Sequence, residues 1–244
     1  MTFLYVILGV LCGIFGVLIL HVLFLFVILL FVKNKDYKKL SGFYRAVLFY
    51  YIRFILFFSG VKIVTSGMEK LSEINGGFLL VGNHRSDFDP MITLLALKKK
   101  RLAFISKPEN FKLPFVGKVI RKCLFLPIDR SNARNALKTI NLTAARIRGG
   151  GISYGVYPEG TRSKGKNMLS FHDGVFKIAQ KAEVPIVVAG VTGTETVHKR
   201  APWRRTIVRF DVLDVIGADK VKALSSHELA GIAYETLASA TDGK

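Results

Sequence analysis

The sequence predicts an α/β domain, with a mixed, largely parallel sheet flanked by helices, preceded by N-terminal membrane helices. Three observations predict it. The first 32 of the 244 residues contain no Lys, Arg, Asp or Glu. From about residue 61, short β-like runs alternate with helical ones, the pattern of parallel strands joined through helices. All 36 basic and 17 acidic side chains, a net charge of +19, lie beyond the apolar start. The chain divides into a transmembrane or membrane-inserted helix over 1–32, an interfacial aromatic-rich helix over 33–60, and an α/β domain over 61–244, long enough for one sizeable core.

Thr2 to Val32 is almost unbroken Leu, Ile, Val, Phe and Gly. A bilayer core of roughly 30 Å needs about 20 apolar residues as a helix, so this stretch spans one with tilt to spare. A secretory signal would want a basic start and a shorter run. With no basic residue at the start, the expectation is a retained helix. Lys33, Lys35, Lys38 and Lys39 follow at once, which by the positive-inside rule puts that end, and the domain behind it, on the cytoplasmic face. The two cysteines, Cys12 and Cys123, both sit in apolar runs and form no Cys-x-x-Cys, as suits a cytosolic domain without a disulfide framework. Over 36–59, Tyr44, Phe49, Tyr50, Tyr51, Phe54, Phe57 and Phe58 are interleaved with Arg45 and Arg53. That composition suits the membrane interface; a core helix of the soluble domain is the alternative.

The β-like runs are 61–65, 78–82, 102–106, 123–128, 153–157, 184–191 and 206–216. The helical ones are 90–98, 115–121, 132–148, 172–182 and 225–239. Asp89 before Pro90 reads as N-cap and first helical residue. Ser225 with Glu228 reads as a capping box, and Gly149-Gly150-Gly151 ends a helix. The 206–216 run alternates and is expected at a sheet edge with one face wet.

Chemistry concentrates in two segments. Asn83-His84-Arg85-Ser86-Asp87-Phe88-Asp89 follows the apolar run from Phe78 to Val81, and Tyr157-Pro158-Glu159-Gly160-Thr161-Arg162-Ser163 follows another strand-like run. A turn between strand end and helix start can bring Asp89 onto His84. It would fix the imidazole tautomer and stabilise the imidazolium formed when the other nitrogen takes a proton. A neutral His is suited to deprotonating an alcohol. The plain alternative is a helix-capping Asp89 and a turn histidine, and Asp87 is a second carboxylate in reach. No Gly-x-Ser-x-Gly elbow offers a covalent nucleophile, so the base is expected to activate a substrate hydroxyl directly. Arg162 presents a planar fork for a phosphate. Glu159 can accept from a hydroxyl or anchor the loop. Gly160, Gly165 and Lys166 approach a phosphate-binding loop, but Asn167 stands where the metal-binding hydroxyl belongs, so nucleotide hydrolysis is set aside. Lys107 and Arg130 each follow a strand-like run and are expected to converge with His84 at one sheet edge.

These blocks resemble the glycerolipid acyltransferase family, specifically 1-acyl-sn-glycerol-3-phosphate (lysophosphatidate) acyltransferases. His84 and Asp89 match its His-x4-Asp motif. Lys107 to Pro114 and Phe125 to Arg130 resemble its second block. Tyr157 to Ser163 resembles its third, where Phe usually stands first, and Gly165, Phe171 and Gly174 fit the continuation. Val184-Pro185-Ile186-Val187 resembles its fourth, with Val188 where a second proline is frequent. The resemblance covers about residues 61–215. It implies that His84, oriented by Asp89, takes the proton of the sn-2 hydroxyl, which attacks the thioester of acyl-CoA or acyl-carrier protein to give phosphatidate. It implies Lys107, Arg130 and Arg162 on the acceptor phosphate, with Glu159 and the Gly160-Thr161 turn placing glycerol or the loop. No metal or redox cofactor is required.

The expected partners are therefore the bilayer, lysophosphatidate and an acyl thioester. The +19 charge fits anionic lipid, and no nucleic-acid reader motif accompanies it. Trp203 among His198, Lys199, Arg200, Arg204 and Arg205 suits a headgroup-level anchor, or a solvated loop. The Lys98–Arg101 run suits a solvated helix end, or attraction of an acidic donor protein. The rival functions are acyl transfer to another lyso-lipid and a non-catalytic, membrane-tethered module that binds anionic lipid.

Overall fold

The structure, a computed structural model, describes residues 2–33, 35, 37–163, 167–201 and 203–242. Gly165 and Lys166 of the phosphate-loop-like run and Pro202 of the basic loop lie outside the described residues.

Helix α1, Thr2–Leu30, is long and apolar enough to cross a membrane. Helix α2, Gly42–Phe58, begins where the Ser41 side chain accepts the Tyr44 amide. The two helices form an antiparallel hairpin. The Tyr51 hydroxyl lies 2.7 Å from His21 Nε2, and the Tyr44 hydroxyl donates to the Ile28 carbonyl at 2.8 Å. The Lys118 ammonium donates to the Leu29 carbonyl at 3.0 Å, so two carbonyls at the end of α1 are satisfied by Tyr44 and Lys118. One face of α2 is buried through Tyr44, Val47, Phe49, Ile52 and Leu56, while Phe43, Tyr50, Phe54, Phe57 and Phe58 remain bare. The aromatic helix thus has a core face toward the domain and an uncovered aromatic face.

Seven strands follow: β1 Val61–Ser66, β2 Leu79–Gly82, β3 Leu102–Ser106, β4 Leu126–Pro127, β5 Ser153–Val156, β6 Ile186–Thr192 and β7 Thr206–Ile216. They form one sheet in the order β1-β7-β6-β2-β5-β3-β4. Every pairing is parallel except β6 with β7. This is the mixed, largely parallel sheet expected. Strands β2 and β5 are buried at every position, which is why they read as short apolar runs without alternation.

The connecting helices are α3 Asp89–Ala96, α4 Val116–Lys122, α5 Ala133–Gly150, α6 Lys177–Ala182, α7 Val197–Arg200, α8 Ala218–Ala223 and α9 Ser226–Thr241. The connections run out from β2 to β4 through α3 and α4 and back to β6 through α5 and α6, so the usual right-handed crossover puts the two pairs on opposite faces of the sheet. Helix α2 packs with α3 and α4, and α5 packs with α6.

Three expectations are corrected. β7 alternates in burial as read, but it is not an edge strand: β1 and β6 flank it and β1 forms that edge. Its wet positions belong to an uncovered face, not to an open edge. The 123–128 run gives a strand of two residues only. Leu124 adopts φ 63° and the Phe125 amide returns to the Ile120 carbonyl, so 123–125 close α4 instead. Asp89 is not the N-cap of α3; Phe88 holds that place without a side-chain bond, and Asp89 is the first helical residue. Val188 sits inside β6 opposite Val81 and Asp214, beside a register shift. The capping box at Ser225 and the left-handed Gly151 closing α5 are present as read.

Candidate active site

Strands β2, β3, β4, β5 and β6 all point the same way, so the segments that follow them emerge at one sheet edge: 83–88, Lys107, Asp129–Arg130, 157–163 and Gly193–Thr194. Such an edge is where open α/β sheets bind ligands. Asn83 secures it from below. Its side-chain amide donates to the Val191 carbonyl at 2.8 Å and accepts the Val191 amide at 2.8 Å, tying the end of β2 to β6.

His84 Nδ1 lies 2.9 Å from Asp89 Oδ2, with 19% of the His side chain exposed and none of the Asp. The same carboxylate oxygen accepts the backbone amides of Arg85 and Ser86, each at 2.7 Å. The other oxygen accepts the Thr194 hydroxyl at 2.5 Å. Four donors thus converge on one buried carboxylate, which keeps it an acceptor toward the imidazole and leaves Nε2 as the ring nitrogen available to a substrate. Asp89 faces back over the preceding turn because it opens the helix and the tight 84–88 turn aims two amides at it. The second carboxylate, Asp87, is turned outward and pairs with Arg162 instead.

The imidazole rests on the Tyr157 ring, with centroids 4.5 Å apart and planes at 12°, and Tyr157 in turn stacks on Phe104 at 5.4 Å. Burial and the nearby Asp89 charge both push the Tyr157 phenol well above its ordinary value, so it stays neutral beneath the histidine.

The 157–163 loop grips the His84 backbone at both ends. Glu159 Oε1 accepts the His84 amide at 2.5 Å, and Ser163 donates its amide to the His84 carbonyl at 2.8 Å. Glu159 Oε2 accepts the Leu169 amide at 2.9 Å. Glu159 is buried with one main-chain amide on each oxygen, so the geometry shows it anchoring the loop. Burial raises its carboxyl, an effect opposed by the Leu169 and His84 amides. Gly160 has φ +76°, and a Cβ there would stand 2.9 Å from Arg130 Nη1 and 3.1 Å from His172 Nε2. The turn therefore needs glycine and brings the Arg130 guanidinium against it. Burial also lowers Arg130 from its ordinary value, though a guanidinium stays charged. Thr161 and Arg162 are exposed on the same turn, and Lys107 is exposed at the end of β3. Arg130 and Arg162 thus flank the turn that holds His84, while Lys107 shares the edge and makes no hydrogen bond to that turn among the described residues.

Three contributors carry little sequence signal. Thr194 is 105 positions from the carboxylate it binds; only its place at a polar strand end hints at it. Tyr157 was read as a motif letter and not as a platform for the histidine. At the end of α9, the Thr241 carbonyl accepts Arg85 Nη2 at 2.6 Å, and Asp242 Oδ1 accepts the same nitrogen at 3.3 Å and the Met168 amide at 3.1 Å. The last helix therefore latches both site loops, and no motif announces it.

With that geometry in hand, comparison with known proteins is informative. A family model described as Acyltransferase matches residues 62–192. The probable 1-acyl-sn-glycerol-3-phosphate acyltransferase of Mycoplasma pneumoniae is 30% identical over 189 residues, covering 73% of this chain and 69% of that protein. The 1-acyl-sn-glycerol-3-phosphate acyltransferases of Haemophilus influenzae and Escherichia coli are 26% and 29% identical, and the matches cover 65% and 64% of this chain. The chain spans about two thirds of the length of those two relatives, 66% and 65% respectively. The crystal structure of the 1-acyl-sn-glycerophosphate (LPA) acyltransferase PlsC from Thermotoga maritima superposes with a TM-score of 0.65 at 23% identity, covering 81% of this chain and 78% of that one. That likeness is one of fold. The family match encloses the His84–Asp89 turn, the Arg130 segment and the 157–163 loop together, and the chain belongs to the acyltransferase family.

Proposed function

We propose that this protein is a 1-acylglycerol-3-phosphate O-acyltransferase, which moves an acyl group from an acyl thioester to the sn-2 hydroxyl of 1-acyl-glycerol-3-phosphate and forms phosphatidate. The observation that carries the proposal is the His84–Asp89 pair, in which a buried, four-donor carboxylate holds Nδ1 and leaves Nε2 free at the ligand edge. Nε2 takes the hydroxyl proton as the oxygen attacks the thioester carbonyl. The imidazolium is stabilised by Asp89, and its proton passes to the departing thiolate as the C–S bond breaks and the new ester remains. Arg130 and Arg162, with Lys107 at the same edge, receive the acceptor phosphate in this reading. Donor and acceptor are the only reactants, and no metal or redox group enters the sequence of steps. The lysines after α1 support placing the domain on the cytoplasmic face, with acyl-CoA or acyl-carrier protein as donor.

The test is acyl transfer by purified protein in detergent or lipid, with 1-acyl-glycerol-3-phosphate and lyso-lipids lacking the terminal phosphate, both donors, and His84→Ala alongside. Phosphatidate formation that needs the terminal phosphate and vanishes in the variant supports the reading. Transfer only to the other lyso-lipids keeps the mechanism and moves the substrate. No transfer to any acceptor, with membrane binding retained, returns the chain to the binding-module reading.

A further inference from the structure

A second pocket opens at the opposite sheet edge, where β3 and β5 begin. It has a volume of about 420 Å³, and its lining includes Lys38, Lys39, Arg101 and Arg146 with no carboxylate among the described residues. Asp36, in the same linker, lies outside the described residues. Arg146 is held by neutral groups, donating to the Tyr37 carbonyl at 2.9 Å and the Tyr154 hydroxyl at 3.2 Å. Arg101 Nη1 reaches the Gly150 carbonyl at 3.4 Å. Lys38 and Lys39 are exposed and make no hydrogen bond or ion pair among the described residues. The linker that carries them is pinned, because the Ser41 amide donates to the Lys122 carbonyl at 3.2 Å and the Lys122 ammonium sits 4.1 Å over the Tyr37 ring. Four cations held together with no counter-charge among the described residues repel one another, and an anion entering the pocket relieves that repulsion. The volume suits a small ligand or a headgroup.

The position favours lipid. Leu30 and Phe31 are 64% and 72% exposed, so a membrane that covers α1 must reach its last turn. Lys33 is the first charged residue after it, and Lys38 follows five residues later, a reach of at most roughly 17 Å. Helix α1 is bare from Phe3 to Phe31 along most of its surface, and the α1–α2 hairpin passes both sheet edges. Basic clusters directly after a membrane helix attract anionic headgroups.

We propose that this pocket holds the phosphate of an anionic phospholipid headgroup, at a site separate from the catalytic edge. It does not rest on the acceptor assigned above, since none of its residues lies at the His84 edge.

The test is calorimetric binding to the full chain in neutral detergent. The probes are short-chain phosphatidylglycerol, short-chain phosphatidylcholine and inorganic phosphate. Lys38→Ala/Lys39→Ala/Arg101→Ala removes pocket charge but spares Arg146, which supports the linker. Lys177→Ala/Lys220→Ala/Lys222→Ala removes equal charge elsewhere. Each pocket cation is expected to contribute roughly fivefold, so the pocket variant loses on the order of a hundredfold for phosphatidylglycerol. The distant variant and Arg162→Ala should bind as the unmodified protein does, phosphatidylcholine should not bind, and free phosphate should bind more weakly than the lipid. If the pocket variant loses acyl transfer in neutral micelles, Lys38→Ala/Lys39→Ala, confined to exposed linker side chains, is measured instead, with a loss of about 25-fold expected. The proposal is overturned if the pocket variant binds undiminished, if phosphatidylcholine binds equally, if free phosphate matches the lipid, or if Arg162→Ala abolishes binding.

Discussion

Asp89→Asn isolates what the buried carboxylate does for His84. Oδ2 accepts from His84 Nδ1, Arg85 and Ser86, and Oδ1 accepts from the Thr194 hydroxyl. An asparagine whose carbonyl oxygen takes the Oδ2 place keeps those three bonds. Its NH2 group then faces Thr194, whose hydroxyl can turn from donor to acceptor. The imidazole tautomer and ring position are preserved, so the variant should fold, with a stability loss of about 1 kcal/mol. What disappears is the charge facing the imidazolium during proton transfer. Two unit charges about 4 Å apart interact by roughly 4 kcal/mol at an effective dielectric constant near 20, which is on the order of a thousandfold in kcat. Acyl transfer should therefore fall by about that factor while urea unfolding changes little. Asp89→Ala, which strands four donors, should lose both. An Asp89→Asn protein that retains transfer within about tenfold would sink the reasoning, because the carboxylate would then be a loop fastener and nothing more.

Other perturbations separate the remaining roles. Tyr157→Phe removes only a hydroxyl 3.5 Å from Thr93 and should leave transfer within about twofold. Tyr157→Ala removes the ring under His84 and should lower thermal stability by about 3–5 kcal/mol and transfer at least tenfold. Arg162→Ala should raise KM for the phosphate-bearing acceptor roughly tenfold or more with kcat nearly unchanged, whereas Asp87→Ala, which frees Arg162 from its ion pair, should not; steady-state kinetics on both decides. The Glu159 carboxyl is raised by burial, so its contribution to stability is present at low pH and is lost as pH rises from its unfolded value through its raised folded value. Denaturant unfolding across that window should show a downward slope in the unmodified protein that Glu159→Gln removes. Asp242→Ala releases the Met168 amide and one Arg85 contact, and hydrogen exchange at 167–170 should rise by an order of magnitude or more, with about 1–2 kcal/mol lost.

Local chemistry was legible in the sequence, and long-range closure was not. The alternation over 206–216 gives the wet and dry faces of β7, since side chains in a strand point to opposite sides. It carries no information on neighbours, and a strand read as an edge gained β1 beyond it. The apolar letters of 123–125 read as strand, yet a positive φ at Leu124 turns them into a helix stop; burial is shared by both fates. His84, Asp89 and Arg162 announce themselves because a turn between strand and helix keeps them close in sequence or in a known block. Thr194 and Asp242 meet that turn only after the sheet is assembled, the first across 105 positions and the second across 157. Asp89 shows the ambiguity most sharply. A carboxylate before a proline is both a helix-cap signal and a catalytic one, and only the direction of the side chain decides.

The single antiparallel pairing explains how the apolar N-terminal hairpin and this site come to share an edge. Had β6 and β7 run parallel, β7 would begin at the far edge and α2 would end there. Because they run antiparallel, β7 and β1 both begin where β6 ends, at the His84 edge. The Thr206 amide donates to the Gly60 carbonyl at 2.9 Å, fixing the end of α2 at that place. Phe57 and Phe58 are bare there, and Trp203, 90% exposed, stands just before β7. The hairpin register, with position 21 against 51, leaves about twelve residues of α1 beyond the end of α2, or roughly 18 Å of apolar helix. On the proposed acyl transfer, a lyso-lipid hydroxyl and an acyl thioester that meet at Nε2 both trail apolar chains, which calls for a base beside the uncovered apolar surface. Reversing one strand pair brings the two together without disturbing the buried parallel strands that hold His84 and its loops in place.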